Sequence, residues 1–327
     1  MDNTGINFWK MRHVFVTGGT GLLGGWLIDD LLSNGARITC LVRDWVPASR
    51  LFTGGSFQRV NIVRGELEDY GTLVRILSEY EIESVFHLAA ETTSNRSSSS
   101  PLSVFNSNIR GTWNILEACR SLGEQVQRII IASSAKAYGP QSELPCIEDT
   151  PLQGRYPYDV SKSCSDLIAL SYFHTYRSPV AIARCANLYG GGDLNFNRLI
   201  PGTIRSTMLG DAPIIRSHGK FVRDYLYVKD AVRGYVKLAE RLPDEATAGH
   251  AFNFSSEKAL TVLDVAQLIL KLMHREKLQP VILNQVVQEI QTQKLDSKKA
   301  RHMLAWRPEF SIEAGLQETI DWYRHNL

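Results

Sequence analysis

Short apolar runs alternate along this chain with stretches whose apolar residues recur at helical spacing. His13 to Thr17 (HVFVT) predicts a strand that stops at Gly18, and Leu22 to Leu32 predicts a helix with one packed face. The pattern then repeats, with strands over Arg37 to Arg43, Val60 to Arg64, Ser84 to Ala89 and Arg128 to Ala132, and helices over Tyr70 to Glu79 and Val104 to Arg120. Alternation of this kind predicts an α/β fold built on a doubly wound parallel sheet, because each parallel strand pair needs a crossover and the helix is that crossover.

From Pro151 the texture changes. Tyr158 to Tyr176 reads as a long helix and Val180 to Cys185 as a strand that returns to the sheet; beyond Gly190, glycines and prolines interrupt shorter elements. The expected organisation is a Rossmann-type domain over residues 1–185, to which later segments at about 220–255 return, and a smaller α/β substrate-binding lobe made mainly of 186–327. Ser94 to Ser100 (SNRSSSS), followed by Pro101, reads as a surface loop at the mouth of a site or as a plain connector.

Composition narrows the class. Hydrophobic residues at 44% and charged residues at 21% describe a chain able to bury a full core, which excludes disorder and collagen-like architectures. A net charge of +2 spread along 327 residues makes no field that would favour nucleic acid or a membrane surface, so small-molecule partners are expected. Five cysteines without a CxxC pair suggest neither a metal site nor a disulfide framework and suit a reducing cytoplasm. Met1 to Arg12 has no apolar h-region, and no apolar stretch is long enough to span a bilayer, so a cytoplasmic setting is expected.

Thr17-Gly18-Gly19-Thr20-Gly21-Leu22-Leu23-Gly24 sets a GxxGxxG spacing between the first strand and the first helix. Glycine permits positive φ and a close backbone approach, and the unpaired N–H groups at the helix start attract a pyrophosphate. Gly18, Gly21, Leu22, Leu23 and Gly24 are therefore the candidate cradle of a dinucleotide. An acidic residue at the end of the second strand would bind the adenosine ribose of NAD, and an Arg there would favour the extra phosphate of NADP. Val42 stands at the usual acidic position, Arg43 leans toward NADP, and Asp44 would serve NAD, so the cofactor is NAD or NADP. Glu66, followed by Leu67, either reaches the adenine or is a solvated surface carboxylate.

Tyr158 and Lys162 in YDVSK lie four apart, on one face of a helix. A nearby ammonium favours the phenolate, turning a phenol that ordinarily titrates near pH ~10 into a usable base. Ser133-Ser134 ends the preceding strand, and a hydroxyl there would hold the substrate oxygen from which Tyr158 takes a proton.

The ordered set TGGTGLLGG, His87-Leu88-Ala89-Ala90, Ser133 to Gly139 (SSAKAYG), YDVSK, Arg184 to Gly190 (RCANLYG) and Arg223 to Asp230 (RDYLYVKD) resembles the extended short-chain dehydrogenases/reductases over nearly the whole chain. The tail Leu295 to Pro308 is similar to the ending of nucleotide-sugar epimerases and dehydratases. The resemblance implies a catalytic set of Ser134, Tyr158 and Lys162, with Lys162 also holding the nicotinamide ribose and Leu88, Ala89 and Ala90 lining the cofactor. It implies that Asn187 and Arg223 touch a substrate diphosphate and that Arg198 and Leu199 cover the nucleotide, a plain surface role for Arg198 being the alternative. It further implies a homodimer formed through the helices at Val104 to Arg120 and Tyr158 to Tyr176.

Asn7 to Lys10 and Gly190 to Pro201 look like CDP-glucose 4,6-dehydratases. Those enzymes carry an Asp after the catalytic Ser or Thr, then a Lys or Glu acting on the C5 proton; this chain has Ala135 and Lys136. Small neutral residues at that position are similar to those of epimerases, so the expectation is NAD(P)-dependent sugar 4-epimerisation slightly ahead of 4,6-dehydration. Decarboxylation or ketosugar reduction would use the same residues, and a catalytically silent nucleotide-binding scaffold is the reading from another class.

Overall fold

The computed structural model describes residues 7–92, 100–286 and 289–327. Apart from Ser100, the SNRSSSS stretch lies outside the described residues. The first six strands are β1 (His13–Thr17), β2 (Arg37–Val42), β3 (Val60–Arg64), β4 (Ser84–His87), β5 (Arg128–Ser134) and β6 (Val180–Cys185). They are followed by β7 (Asn187–Tyr189), β8 (Ile214–Ile215), β9 (Val222–Tyr227), β10 (Ala251–Phe254), β11 (Ala259–Thr261) and β12 (Val281–Ile282). Seven strands form a parallel sheet in the order β10-β6-β5-β4-β1-β2-β3.

The strands read as unbroken apolar runs because both faces of this sheet are covered. On one face Val14, Val16, Ile130, Ala181 and Ala183 meet Leu27 and Ile28 of the Leu22–Ser33 helix and Val232 and Tyr235 of the Val228–Glu240 helix. On the other, Phe15, Ile129, Ile131, Val180 and Ile182 meet Leu73 and Ile76 of the Tyr70–Glu79 helix, Ile115 and Leu116 of the Gly111–Ser121 helix and Ala169 of the Pro157–Tyr176 helix. Alternate residues of one strand thus supply the two cores.

Strand β9 lies outside this layer, in a three-stranded sheet β11-β9-β7, and β8 pairs with β12; the Val228–Glu240 helix and β10 complete the main layer. No helix among the described residues is long and apolar enough to cross a membrane.

Several elements differ from the predicted bounds by a residue or two, β5 for example running on to Ser134, and two differences have a clear tertiary cause. β4 stops at His87 rather than Ala89, because the Ala89 amide turns to donate to the Thr17 side chain at 3.2 Å. The helix expected over Val104 to Arg120 starts at Pro101 and carries a π-turn over Asn106–Arg110. There the Asn108 side chain accepts from the Glu91 amide at 2.7 Å and donates to the Glu91 carbonyl and to Ser161 Oγ. These tertiary partners are invisible in local spacing, and π-turns of this sort concentrate at functional sites.

Candidate active site

The sheet order reverses between β1 and β4, and a crevice opens beyond the carboxyl ends of such strands. Thr17 and His87 sit opposite each other at those ends. Gly18 then takes φ +78°, and a side chain on it would meet the Ala89 amide nitrogen at 2.7 Å. A side chain on Gly24 would strike the Gly18 carbonyl at 2.2 Å. Gly21 begins the Leu22–Ser33 helix without any side-chain cap, which leaves the first N–H groups for a ligand. The turn therefore fits a pyrophosphate. Leu88, Ala89 and Ala90 are half-buried beside it, and Leu22 is half-buried at the helix start. Leu23 packs into the core, as does Leu67, which lies beneath Gly111.

At the end of β2, Val42 is buried, so the usual acidic position points into the core. Arg43 and Asp44 are both exposed, and Arg43 Nε donates to Asp44 Oδ2 at 2.7 Å. Glu66 is exposed at the end of β3.

His87 shows how tightly this end of the sheet is fixed. Its Nδ1 shares a hydrogen bond with Thr17 Oγ1 at 2.9 Å and its Nε2 meets Thr112 Oγ1 at 3.3 Å. The Thr112 hydroxyl donates to the Asn108 carbonyl at 2.6 Å, so its oxygen receives the Nε2 proton and Nδ1 is left to accept from Thr17. Burial, with the nearby Lys162 charge, pushes the His87 pKa down to about 3. A base depressed on folding adds stability above its unfolded pKa near 6.5 and loses it as pH falls toward 3. Urea unfolding should therefore show about 2 kcal/mol less stability at pH 5 than at pH 7 from this residue. His87→Asn should flatten that slope, and an unchanged slope would mean that other groups carry it.

Ser134 closes β5, and its Oγ accepts from the Lys136 amide at 3.2 Å. Tyr158 opens the Pro157–Tyr176 helix one residue after Pro157, and Lys162 follows one turn later with its Nζ 5.8 Å from the Tyr158 ring centre. Lys162 Nζ donates to the Ala132 carbonyl at 2.7 Å. The structure thus brings Ser134, Tyr158 and Lys162 together at the end of β5. Burial pushes the Tyr158 phenol up to about 12, opposed by the Arg198 charge and by a hydrogen bond with Ser134. Burial takes Lys162 down to about 8, opposed by Asp166. Arg198 thus adds a second positive charge to that of Lys162, which the i, i+4 spacing had placed beside the phenol.

Beneath the three residues lies a buried polar network that the spacing of motifs did not reveal. Arg184 Nε donates to Asp166 Oδ2 at 2.6 Å, and Nη1 donates to the Tyr138 hydroxyl at 2.9 Å and the Glu148 carbonyl at 2.8 Å. The Tyr138 hydroxyl in turn donates to Asn253 Oδ1 at 2.7 Å. This network ties β6, β10 and the SSAKAYG turn to the helix bearing Lys162.

Asn187 is half-buried at the start of β7. Arg198 is the N-cap of the Leu199–Leu209 helix, and Leu199 is its first residue. Arg198 Nη1 donates to Asp193 Oδ2 at 2.9 Å and Nη2 to Thr92 Oγ1 at 3.2 Å. These two hydrogen bonds hold a guanidinium whose side chain remains 40% exposed. Arg223, 5% exposed, places Nη2 2.8 Å from Glu289 Oε1, and the same oxygen is 3.6 Å from Lys136 Nζ. Glu289 was missed in the sequence because it lies far along the chain from both partners and outside every motif.

Ala135 is buried and lines a void of about 10 Å³ with Cys146, Thr292 and Gln293. A larger cleft of about 290 Å³, walled by Asp224, Glu257, Lys294 and Arg301 among others, includes none of the residues expected at the site.

The description "GDP-mannose 4,6 dehydratase" matches residues 15–319. The chain belongs to this family. Among its relatives is the CDP-glucose 4,6-dehydratase of Salmonella typhimurium, 29% identical over 97% of this chain and 92% of that protein. A double mutant of DesIV, the dTDP-glucose 4,6-dehydratase of Streptomyces venezuelae, was solved with NAD bound. It is 28% identical, superposes with a TM-score of 0.87, and is matched over 97% of this chain and 98% of that one. The UDP-glucose 4-epimerase of Thermotoga maritima, solved with UDP-glucose, is 26% identical with a TM-score of 0.85 over 96% and 99% of the two chains. The family members named here are enzymes of nucleotide-sugar chemistry, in line with the resemblance to extended short-chain dehydrogenases/reductases.

Proposed function

We propose that this family member is an NAD-dependent enzyme that oxidises C4 of a nucleotide-activated hexose transiently, and that its net reaction is 4-epimerisation. The observation that carries the first part is the convergence of Ser134, Tyr158 and Lys162 at the strand ends that also hold the glycine turn. Bound NAD supplies the hydride acceptor for the carbon whose hydroxyl the protein deprotonates. Ser134 holds that hydroxyl, Tyr158 takes its proton, and Lys162, fixed by the Ala132 carbonyl, holds a cation behind the phenol. The exposed Arg43 and Asp44 leave room for NADP in place of NAD.

Ala135 favours epimerisation, since a methyl group cannot protonate a leaving hydroxyl. Lys136 favours the second reading, 4,6-dehydration as in the CDP-glucose relative, because it keeps an ammonium beside the site with no evident use in epimerisation. Incubation with CDP-, UDP-, GDP- and dTDP-hexoses separates the two: a C4 epimer of unchanged mass supports the first, and loss of water overturns it. Ala135→Asp should raise any trace dehydration, by up to about 10²–10⁴-fold where the new carboxyl reaches the leaving hydroxyl. No gain would mean that another acid already serves. Exposed Leu102, Trp113 and Leu167 on the neighbouring Pro101–Ser121 and Pro157–Tyr176 helices support pairing of two copies through that face.

A further inference from the structure

Arg223 is anchored on one side and faces a carboxylate on the other. Its Nη1 donates to the Val222 carbonyl at 2.9 Å and the Gln291 carbonyl at 3.3 Å, which fixes the plane of the guanidinium. Its buried Nη2 makes no directed hydrogen bond among the described residues. What faces Nη2 is the Glu289 carboxylate, 2.8 Å away but off the donor axis. The same carboxylate oxygen reaches toward Lys136 at 3.6 Å.

We infer that Glu289 is a specificity-determining residue that occupies the anion position of Arg223 in the free protein, so that a ligand must bring a diphosphate strong enough to displace it. The inference rests on the nucleotide-sugar reading above. A carboxylate off the donor axis forgoes much of the strength of a charge-assisted hydrogen bond, whereas a phosphate oxygen is free to align with Nη2. Charge bookkeeping points the same way: Arg223 and Lys136 bring two positive charges and Glu289 one negative charge. A diphosphate diester carries two negative charges, so with Glu289 left in place the cluster would become net negative in a half-buried setting. Displacement toward Lys136 relieves that repulsion and leaves the ammonium paired while the ligand holds Arg223. Although burial opposes ionisation of Glu289, the two cations hold its carboxyl below the ordinary range, so the competitor is charged at neutral pH. Uncharged or weakly charged ligands gain nothing by replacing it, which is how a fixed counter-anion discriminates.

Glu289→Gln tests this, since the amide keeps size and an acceptor oxygen but loses the charge. CDP, UDP, GDP and dTDP are titrated by calorimetry into the NAD-loaded full chain, with the parent nucleosides as phosphate-free controls. The diphosphate that the wild type binds should bind the variant about three- to tenfold more tightly, as expected when one charged competitor is removed. Nucleoside affinity should not change, and Glu289→Ala should shift the diphosphate in the same direction. Equal or weaker diphosphate binding by Glu289→Gln overturns the inference while leaving the proposed function standing. Failure of the wild type to bind any of the four diphosphates removes both. A comparable gain for nucleosides would also overturn it, since the effect would then not act through phosphate.

Discussion

Tyr158→Phe should bind NAD as the wild type does and lose about 10²–10⁴-fold in kcat, the range that a positioned general base contributes. The substitution removes only the phenol oxygen and keeps the ring that packs beside Lys162. The oxygen is the part that matters because it is the atom of this side chain that exchanges a proton. Burial raises this phenol to about 12, so at neutral pH it rests protonated. It becomes a base only as substrate and cofactor complete the site, so the loss should appear in kcat and much less in KM. Stopped-flow nicotinamide absorbance and steady-state product analysis read the two separately. Full turnover by the Phe variant would remove the proposed chemistry.

The second large effect is structural. Asp166→Ala should destabilise the protein by about 3–5 kcal/mol, because it leaves the Arg184 guanidinium buried without its counter-charge. Both side chains are almost completely enclosed, at 4% and 0% exposure, so water cannot replace the lost partner. Chemical denaturation measures the change. The paired replacement Asp166→Leu with Arg184→Met should recover most of it, since the cost lies in the uncompensated charge rather than in absent attraction. If the single variant loses less than about 1 kcal/mol, a surface-like value, the pair does not brace the site. The coupling to function is direct: Asp166 stands one helical turn beyond Lys162 and favours its charged form.

Local pattern and tertiary contact divide this molecule between them. The order of strands and helices was legible in the alternation of apolar runs, and β1, β3, β6 and the Tyr70–Glu79 helix have the bounds that the spacing predicts. The glycine turn and the Tyr158 to Lys162 face were legible for the same reason, since each depends on residues within a few positions of one another. The π-turn at Asn106–Arg110 was not, because it answers to Glu91 and Ser161, which lie elsewhere in the chain. Nor was the burial of the Leu67 side chain beneath Gly111.

What the chain by itself determined is therefore the parallel sheet, the turn that fits a pyrophosphate and the trio of Ser134, Tyr158 and Lys162. Only the tertiary structure decided that Asp166 and Arg184 pair beneath Lys162 and that Glu289 sits between Arg223 and Lys136. Periodicity records which face of an element is buried, whereas electrostatics depends on distance through space. The two cations of the last cluster are each brought within 4 Å of the Glu289 carboxylate only by folding, from positions 136, 223 and 289.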